Sequence, residues 1–414
     1  MALQLLLPPA VIQAFAGEPT RLSLAQVLSE ARSQSPQIEV SQSRIDAAQG
    51  MQTQAGLIPN PLFTLTSENT PLGHSPPFKF FKDTDDYAYL TQPIELGGKR
   101  GHRVDLAGED VGRTRLEAEI SLRQLEARVA IAYWAAASAA SVAELYHREF
   151  QALDEVVAYN RARVSRGATA ESDLIRIQLE SNKLLMQADL ASREARAEII
   201  SLYREIGQTD FPTSVVFTDA SGDLGEVHPP SIETLLAQHP QMQLAREVVE
   251  RDDANLALQH ANAVVDPNLI LGYKRWSGID PQNAGLNTLY FGVQVPLPVF
   301  SRNQGRIAAA EADLRGARAE LRAQEIAIRS EVAAALDDYM TRREALLQII
   351  PRMNDQAAET FSITKRAYRL GGTDILRFLD AERVRIETAV LYQQLLTGYH
   401  QSVVNLKLAT GMPQ

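Results

Sequence analysis

The residues that most often carry out chemistry are sparse and scattered in this sequence. None of the 414 residues is a cysteine, which excludes disulfides, thiolate metal sites and cysteine nucleophiles. No nucleophile-elbow or dinucleotide motif occurs, and "GGKRG" (97–101) lacks the Lys-Ser/Thr ending of a phosphate loop. The seven histidines show no i,i+4 pairing and no metal-site spacing, so each is expected to be an ordinary helix or surface residue: His74, His102, His147, His228, His239, His260 and His400. We therefore predict no enzymatic activity, no cofactor and no resident metal.

Two aspartates adjoin glycine-containing turns, Asp173 in "RGATAESD" and Asp374 in "RLGGTD". Glycine supplies a left-handed residue that ends one helix, and an aspartate can cap the start of the next helix. Capping is the first interpretation of both residues. The alternative is a ring of such carboxylates, repeated by symmetry, that binds cations and holds a pore shut. Acidic pairs such as Asp337-Asp338 are interpreted as solvated helix faces rather than a cation path.

Composition bounds the class of protein. Hydrophobic residues make up 45% of the chain, enough to bury a large core. The formal net charge is −10, which argues against a nucleic-acid partner. The chain is therefore expected to be a folded protein without a basic nucleic-acid footprint.

The first sixteen residues are apolar and end in Ala14-Phe15-Ala16, which is typical of an export-signal cleavage site. The basic segment expected before such a signal is missing, since Arg21 is the first positive residue. We predict a signal peptide over 1–16, with a buried or frayed N-terminal segment as the alternative. No later window offers the roughly 18 apolar residues of a membrane-spanning helix. If the chain crosses a membrane, we expect it to do so as strands.

The sequence contains two copies of one unit. "SPQIEVSQSRIDAA" from Ser35 resembles "HPQMQLAREVVERDDA" from His239, and "TQPIELGGKRGHR" from Thr91 resembles "QVPLPVFSRNQGR" from Gln294. The paired segments lie about 200 residues apart, which indicates a duplication. We predict repeat 1 over 17–207, a linker rich in Pro, Gly, Asp and Ser over 208–230, and repeat 2 over 231–411.

Each copy is predicted to contain short helices, two strands, a long helix and a return helix. The strands are expected at about 61–68 and 86–96 in the first copy, and at about 268–276 and 287–297 in the second. The long helices are expected at about 99–166 and 303–370, and the return helices at about 170–207 and 373–410. Each long helix and its return helix would form an antiparallel hairpin with a glycine turn at its tip.

The long helices have a countable period. No proline occurs in the 118 residues from Ile94 to Phe211, and apolar residues from Leu122 to Val157 recur at alternating steps of three and four. This alternation is typical of a coiled-coil seam. A helix over 99–166 would be roughly 100 Å long at 1.5 Å per residue. Pro351 lies inside the second long helix and is expected to remove one backbone hydrogen bond and bend it.

The predicted strands have one apolar and one polar face. In "TLYFGVQVPL" (288–297), the residues Leu289, Phe291, Val293 and Val295 alternate with polar or small residues. Lengths of about 9–11 residues suit tilted membrane strands, and a small soluble sheet is the alternative. Four strands cannot close a barrel in lipid, whereas three chains would supply twelve strands around a channel. The strands would pass into the helices at junctions marked by Pro93, Gly97, Gly98, Pro296 and Pro298.

The duplicated unit, the junction "QPIELGGKRGHR" and the tip segments "RGATAESDLIRIQLE" and "YRLGGTDILRFLDAE" resemble the TolC-type outer membrane factors over nearly the whole chain. "ELGGKRG" resembles the CzcC/CusC-like heavy-metal efflux branch. The resemblance implies a mainly α fold with a small β part: long helical hairpins forming a periplasmic α-barrel, and a homotrimeric 12-stranded β-barrel in the outer membrane of a Gram-negative bacterium. Relatives in this branch often carry an acylated N-terminal cysteine, and this chain has none.

The resemblance also implies partners and a function. The partners are outer membrane lipid, a periplasmic adaptor (membrane fusion) protein and an RND-type inner membrane pump. The function is that of a passive exit duct, here for heavy-metal cations. The tip residues would dock the adaptor and gate the pore; they are Arg166, Gly167, Asp173, Arg369, Gly371, Gly372 and Asp374. The alternative is a periplasmic coiled-coil adaptor or scaffold that does not span the membrane, although two hairpins and four strands fit it poorly.

Overall fold

The computed structural model describes residues 20–69, 77, 79, 83–212, 214–219, 224–276, 282 and 286–414. The predicted signal peptide and His74 lie outside these residues. The chain divides into two compact units. Unit 1 comprises Met1–Ile38, Leu122–Pro229 and Val332–Gln414, and unit 2 comprises Glu39–Ser121 and Pro230–Glu331.

Helices make up most of the described chain. In chain order they are α1 (Leu24–Gln34), α2 (Pro36–Ala55), α3 (Lys99–Val164), α4 (Glu171–Ile206), α5 (Ile232–Gln238), α6 (Pro240–Asn262), α7 (Gln304–Glu344), α8 (Ile350–Arg369) and α9 (Ile375–Thr410). The strands are β1 (Thr20–Leu22), β2 (Leu62–Glu68), β3 (Asp85–Pro93), β4 (Val215–Phe217), β5 (Asn268–Arg275) and β6 (Asn287–Gln294).

The second long helix differs from the single helix predicted over 303–370. A π-helical turn, Ala345–Ile349, separates α7 from α8. Pro351 has no N–H, and its ring crowds the carbonyl four residues earlier, so a regular α-helix cannot run through this position undisturbed. The wider π-helical turn accommodates the proline, because the N–H of Ile350 bonds the carbonyl five residues earlier, at Ala345. Helix α3, which has no proline, runs for 66 residues without such a break.

Four helices end in the same glycine-dependent motif. At the end of α3, the Ala168 N–H bonds the Arg163 carbonyl at 2.9 Å and the Gly167 N–H bonds the Val164 carbonyl at 2.9 Å. Gly167 has a φ of 69°, a conformation that is costly for residues with a Cβ. The paired bonds are those of a Schellman motif. It recurs after α4, α8 and α9, at Gly207, Gly371 and Gly411.

The core of unit 1 forms where helices pack along their alternating apolar positions. One cluster joins α1, α3 and α4 through fully buried residues that include Val27, Leu125, Val129 and Leu202. The parallel pair β1–β4 lies beside it, in the register Thr20↔Val215. A second cluster joins α3 and α4 to α8 and α9; it contains Leu153, Val157, Ile177, Leu184, Tyr368, Ile375, Phe378 and Ile386. The two hairpins of the chain therefore share one apolar core.

His400 is a helix residue of α9 with an aromatic environment. It is buried, and its ring stacks on Trp134 with the ring centroids 3.6 Å apart and the ring planes 4° from parallel. Burial lowers the pKa of the His400 imidazole to about 4. The side chain is therefore a neutral packing element at physiological pH.

Unit 2 contains a four-stranded antiparallel sheet in the order β2-β3-β5-β6. The register aligns Thr64, Tyr89, Gly272 and Tyr290 across one face, and Leu65, Ala88, Tyr273 and Leu289 across the other. The second face is apolar and exposed in the single chain, for example at Leu65, Leu289 and Phe291. Strands β3 and β5, the two central strands, come from different copies of the repeat.

Two strands end three residues earlier than predicted. Strand β3 was predicted over 86–96 and spans Asp85–Pro93, and β6 was predicted over 287–297 and spans Asn287–Gln294. Pro93 and Pro296 have no N–H to donate to a ladder, so regular pairing stops at or just before them. The remaining predicted residues form extended connections into the helices.

One described helix, α3, is long and apolar enough to cross a membrane, by length and composition alone. An 18-residue window of α3 has a mean hydropathy of 1.2, and 44% of that window is buried. The prediction that no window after the signal would be apolar enough is wrong on this measure, because alanine raises the hydropathy of the α3 seam. A core helix can be equally long and apolar, so the window is weak evidence for a membrane helix.

Candidate functional site

The predicted tip residues lie at the two helix-to-helix turns of unit 1. Arg166 and Gly167 form the turn between α3 and α4, and their side-chain positions are exposed. Gly371 and Gly372 lie in the turn between α8 and α9, next to Arg369 at the end of α8, and all three are exposed. Gly371 has a φ of 77°, which explains the glycine, whereas Gly372 does not have a positive φ.

The two tip aspartates have different roles. Asp374 is the N-cap of α9, and its carboxylate accepts a hydrogen bond from the Arg377 N–H at 2.9 Å. The prediction that Asp173 also caps a helix is wrong. Helix α4 has Ala170 at its N-cap and no side-chain cap bond, because Asp173 lies three residues farther along, in the first turn. There its charge interacts favourably with the positive end of the helix dipole.

A buried hydrogen bond joins the two hairpins near their tips. The Tyr368 hydroxyl of α8 donates to the Asn160 carboxamide oxygen of α3 at 2.7 Å. The Asn160 amide nitrogen donates in turn to the Val156 carbonyl at 2.9 Å. Because Asn160 and Tyr368 are both buried, loss of one partner would leave a polar group unsatisfied. This bond fixes the spacing of the hairpins at the level of the tips.

Charged side chains are buried farther along the same hairpins. Arg385 of α9 forms a two-pronged ion pair with Glu149 of α3, one contact of which measures 3.0 Å, and its guanidinium lies 4.5 Å from the Phe361 ring centre. Glu382, one turn earlier, is only 4% exposed. Among the described residues, no hydrogen-bond partner lies within reach of its Oε2. Burial raises the pKa of the Glu382 carboxyl to about 7, even though Arg385 favours its charged form.

Glu382 lines a cavity of about 240 Å³ between α3, α4 and α9. The polar residues around the cavity are Tyr146, Glu180, Lys183, Gln187, Glu382, Arg383 and Glu387. The Lys183 ammonium pairs with Glu180 at 2.8 Å, and Arg383 pairs with Asp380 at 2.7 Å. No group of three or more histidine or carboxylate side chains placed to hold a metal ion occurs in the described part of the chain.

The first strand-to-helix junction is held by residues from both copies. Gly97 and Gly98 have φ values of 71° and 73°, which turn the chain from β3 into α3. The buried Lys99 ammonium pairs with Asp266 at 2.6 Å, and the same carboxylate accepts the Leu96 N–H at 2.8 Å. A Cβ on Gly97 would approach the Val264 side chain to 3.0 Å, so this position also needs glycine for space.

Arg103 reinforces the same junction from the first turns of α3. Its guanidinium forms a two-pronged ion pair with Glu95, one contact of which measures 3.0 Å. It also donates to the Ala55 carbonyl at 3.3 Å and to the Leu57 carbonyl at 3.3 Å. Helix α2, the end of β3 and the start of α3 are thereby tied together.

The second junction has another construction. Pro296 and Pro298 lie in an exposed extended segment between β6 and α7. Asn303, with a φ of 62°, replaces glycine at the turn into α7. Its side-chain amide donates to the Gln259 carbonyl at 2.7 Å, which holds the turn against α6. Asparagine is among the few non-glycine residues that adopt this conformation readily.

Sequence analysis missed Glu382, Asp266 and the Tyr368–Asn160 bond. Glu382 carries a readable signal, because it falls in the apolar phase of α9 with Ile375, Phe378 and Ile386, where a charge is unexpected. Asp266 carries no such signal, whereas Asn160 lies three residues after Val157, in the apolar phase of α3. Their partners lie 167 and 208 residues away in the chain.

Comparison with known proteins identifies the family. The family model described as "Outer membrane efflux protein" matches residues 27–208 and 231–412. The cobalt-zinc-cadmium resistance protein CzcC of Cupriavidus metallidurans is 24% identical over 409 residues, covering 94% of this chain and 90% of the relative. The nickel-cobalt-cadmium resistance protein NccC of Alcaligenes xylosoxydans xylosoxydans is 27% identical over 346 residues, covering 80% of this chain and 74% of the relative.

Solved structures share the fold. The CusC transmembrane channel superposes with a TM-score of 0.77 at 16% identity, covering 94% of this chain and 92% of the other. The outer membrane protein VceC of Vibrio cholerae gives a TM-score of 0.74 at 18% identity, covering 94% of this chain and 96% of the other. The predicted resemblance and the mainly α, duplicated fold are confirmed. The chain, built from two matching copies, belongs to the outer membrane efflux protein family.

Proposed function

We propose that this outer membrane efflux protein is the exit duct of a tripartite efflux system, and that it conducts heavy-metal cations passively from pump and adaptor to the exterior. The observation that carries the proposal is the four-stranded sheet with an exposed apolar face, whose strands lead through short connections into helices of unusual length. Such a sheet has two open edges, β2 and β6. Open edges are not tolerated in lipid, so a functional wall requires further copies of the chain.

A homotrimer supplies twelve strands, enough for a barrel with an aqueous interior. A dimer supplies only eight strands, and side chains would fill the interior of an eight-stranded barrel. The hairpins of each copy then continue the same wall through the periplasm. Each chain would contribute two equivalent sections of this wall, repeat 1 over 17–207 and repeat 2 over 231–411, joined by the linker 208–230. A conduit of this kind performs no catalysis.

Heavy-metal cations are proposed as cargo because CzcC and NccC are both named as resistance proteins for divalent metals. An RND-type inner membrane pump and a periplasmic adaptor are proposed as the partners. The exposed turn residues Arg166, Gly167, Arg369, Gly371 and Gly372, with the two tip aspartates, would contact the adaptor and close the periplasmic end. Pro93, Gly97, Gly98, Pro296 and Pro298 would set the transition from membrane to periplasm.

Deletion of the gene tests the function directly. We expect the deletion strain to lose resistance to zinc, cobalt, cadmium or nickel salts, and to keep its resistance to detergents and dyes. Complementation with the intact gene should restore metal resistance. A deletion strain that becomes sensitive only to organic compounds would contradict the proposal that the cargo is metal. A deletion strain with unchanged resistance, grown under conditions in which the efflux system is expressed, would contradict the proposal that the protein is an exit duct.

Fractionation separates the duct from a coiled-coil scaffold. A duct stays with outer membranes washed in high salt and requires detergent for extraction, because its strands lie in lipid. A scaffold bound through its helices would be released by the salt wash.

A further inference from the structure

The apolar face of β6 continues past the end of the strand. Leu289 and Phe291, on the apolar face, are 70% and 80% exposed. After the strand ends at Gln294, the same alternation carries on to Val299, within a segment that we call the post-strand segment, residues 295–300. Its exposed apolar side chains are Val295, Leu297, Val299 and Phe300. Phe300 is 92% exposed, a rare state for a large aromatic side chain in water.

The strand is too short for the membrane without this continuation. Strand β6 has 8 residues. At about 3.4 Å per residue and a tilt of about 40°, it spans roughly 21 Å along the membrane normal. The apolar band of outer membrane barrels is about 25 Å tall. The post-strand segment can supply the missing length on the side from which α7 departs.

The backbone of the segment is suited to a water-poor environment. Pro296 and Pro298 have no N–H groups that would need hydrogen-bond partners. The Val299 N–H is bonded to the Leu297 carbonyl at 2.9 Å. An irregular segment is normally excluded from lipid by its unpaired backbone groups, and here three of those donors are absent or paired within the segment.

Two polar side chains bind two further carbonyls of the segment, and one of them adds a positive charge. The Arg302 guanidinium donates to the Pro298 carbonyl at 3.3 Å, and the Gln304 amide donates to the Phe300 carbonyl at 3.1 Å. Arg302 is exposed, so its charge is available outside the segment. An arginine next to an aromatic side chain is the combination found where a protein passes from acyl chains to lipid phosphates.

We propose that the post-strand segment is a lipid anchor at the periplasmic surface of the outer membrane. Leu297 and Phe300 insert between the acyl chains of the periplasmic leaflet, and Arg302 lies at the level of the lipid phosphates. The occupant is lipid because the exposed apolar alternation of β6 continues to Val299, exposed Phe300 follows it directly, and the segment leads into a basic residue. The inference rests on the proposed function, which places β6 in the membrane.

Spin labels test the anchor, and the absence of cysteine makes each introduced label unique. Phe300→Cys carries a nitroxide in the full-length protein reconstituted in phospholipid bilayers. Electron paramagnetic resonance then measures collisions with oxygen, which concentrates among acyl chains, and with a water-soluble nickel chelate. Two matched variants give the reference values for lipid and for water. Phe291→Cys lies on the apolar face of β6, and Leu370→Cys lies at the tip, where Leu370 is 88% exposed.

The expected result is a ratio of oxygen to nickel collisions at residue 300 that is several-fold above the ratio at 370 and close to the ratio at 291. A ratio at 300 equal to that at 370, with 291 still in lipid, overturns the anchor and leaves the proposed function intact. A label at 300 that is immobile and shielded from both reagents also overturns it, because a second copy of the chain would then cover the segment. Nickel access at both 291 and 300 overturns the proposed function as well.

Discussion

Asp374 combines two properties that are separate at the matching turn of the other copy. Its carboxylate caps α9 through the Arg377 N–H, and it carries an exposed negative charge at a tip. At the first tip the cap position is occupied by Ala170, and the charge belongs to Asp173 in the first helical turn. If three copies meet around an axis, Asp374 would form the ring of carboxylates that the sequence suggested as a cation-binding closure.

Separate substitutions distinguish capping from cation binding. Asp374→Asn keeps a good N-cap and removes the charge, whereas Asp374→Ala removes both, at a cost of about 1 kcal/mol in helix stability. We expect Asp374→Asn to raise single-channel conductance in planar bilayers and to weaken inhibition by divalent cations. Asp173→Asn puts the carboxylate of the other tip to the same measurement. Unchanged conductance and unchanged divalent sensitivity in Asp374→Asn would rule out the carboxylate ring.

At the scale of the helices, the carboxyl group of Glu382 lies among the apolar side chains through which α9 packs against α3. Glu382 faces Arg385 and Lys365, which favour its charged form, and Glu149 and Glu180, which oppose it. Burial dominates, and the pKa rises from 4.5 to about 7. The folded protein therefore keeps a proton that the unfolded chain releases near pH 4.5. The stability from this group is fully present below about pH 4.5 and is lost as the pH rises through 7.

Glu382→Gln tests this pH dependence. The neutral amide cannot ionise, so we expect the variant to unfold at a higher temperature than the wild type at pH 8 and at a similar temperature at pH 5. The difference at pH 8 should approach about 3 kcal/mol per chain. Glu387→Gln, whose wild-type side chain is 67% exposed on the same helix, is the control and should show little change. Parallel pH profiles for wild type and Glu382→Gln would contradict the buried carboxyl.

The sequence predicts well those elements whose conformation depends on residues close together in the chain. The alternating seam of α3 and the turn glycines at 167 and 371 follow from helical periodicity and from the need for positive φ, and both are visible in neighbouring residues. The junction contact between Lys99 and Asp266 depends on two copies meeting in space, which no local pattern encodes. The π-helical turn at Ala345–Ile349 also escaped prediction, because proline signals a conflict in the helix but not how the backbone resolves it.

At the scale of the whole molecule, the sheet explains why one chain is not enough. Strands β2 and β6 lie at opposite edges of the four-stranded sheet, three strand spacings apart. At about 4.8 Å per spacing they are separated by roughly 14 Å, beyond the reach of a disulfide, which needs Cα atoms within about 7 Å. A covalent link between these strands must therefore join two chains.

Paired cysteines test the closure. Thr64→Cys on β2 is combined in turn with Thr288→Cys, Tyr290→Cys or Gly292→Cys on β6, which share one face of the sheet. We expect oxidation of at least one pair in native membranes to give covalent dimers and trimers on denaturing gels. Single-cysteine variants should give no ladder. Monomers alone from all three pairs would contradict a barrel closed edge to edge.

The contact of β3 with β5 has a consequence for the origin of the protein. It joins strands from the two copies inside one polypeptide, and closure of the ring would repeat the same kind of join from β6 of one polypeptide to β2 of the next. The ring then has six near-equivalent sectors distributed over three chains. An ancestral half-length gene, with two strands and one hairpin per product, would have reached the same circumference as a hexamer, and fusion of two such genes would have halved the number of subunits to be brought together.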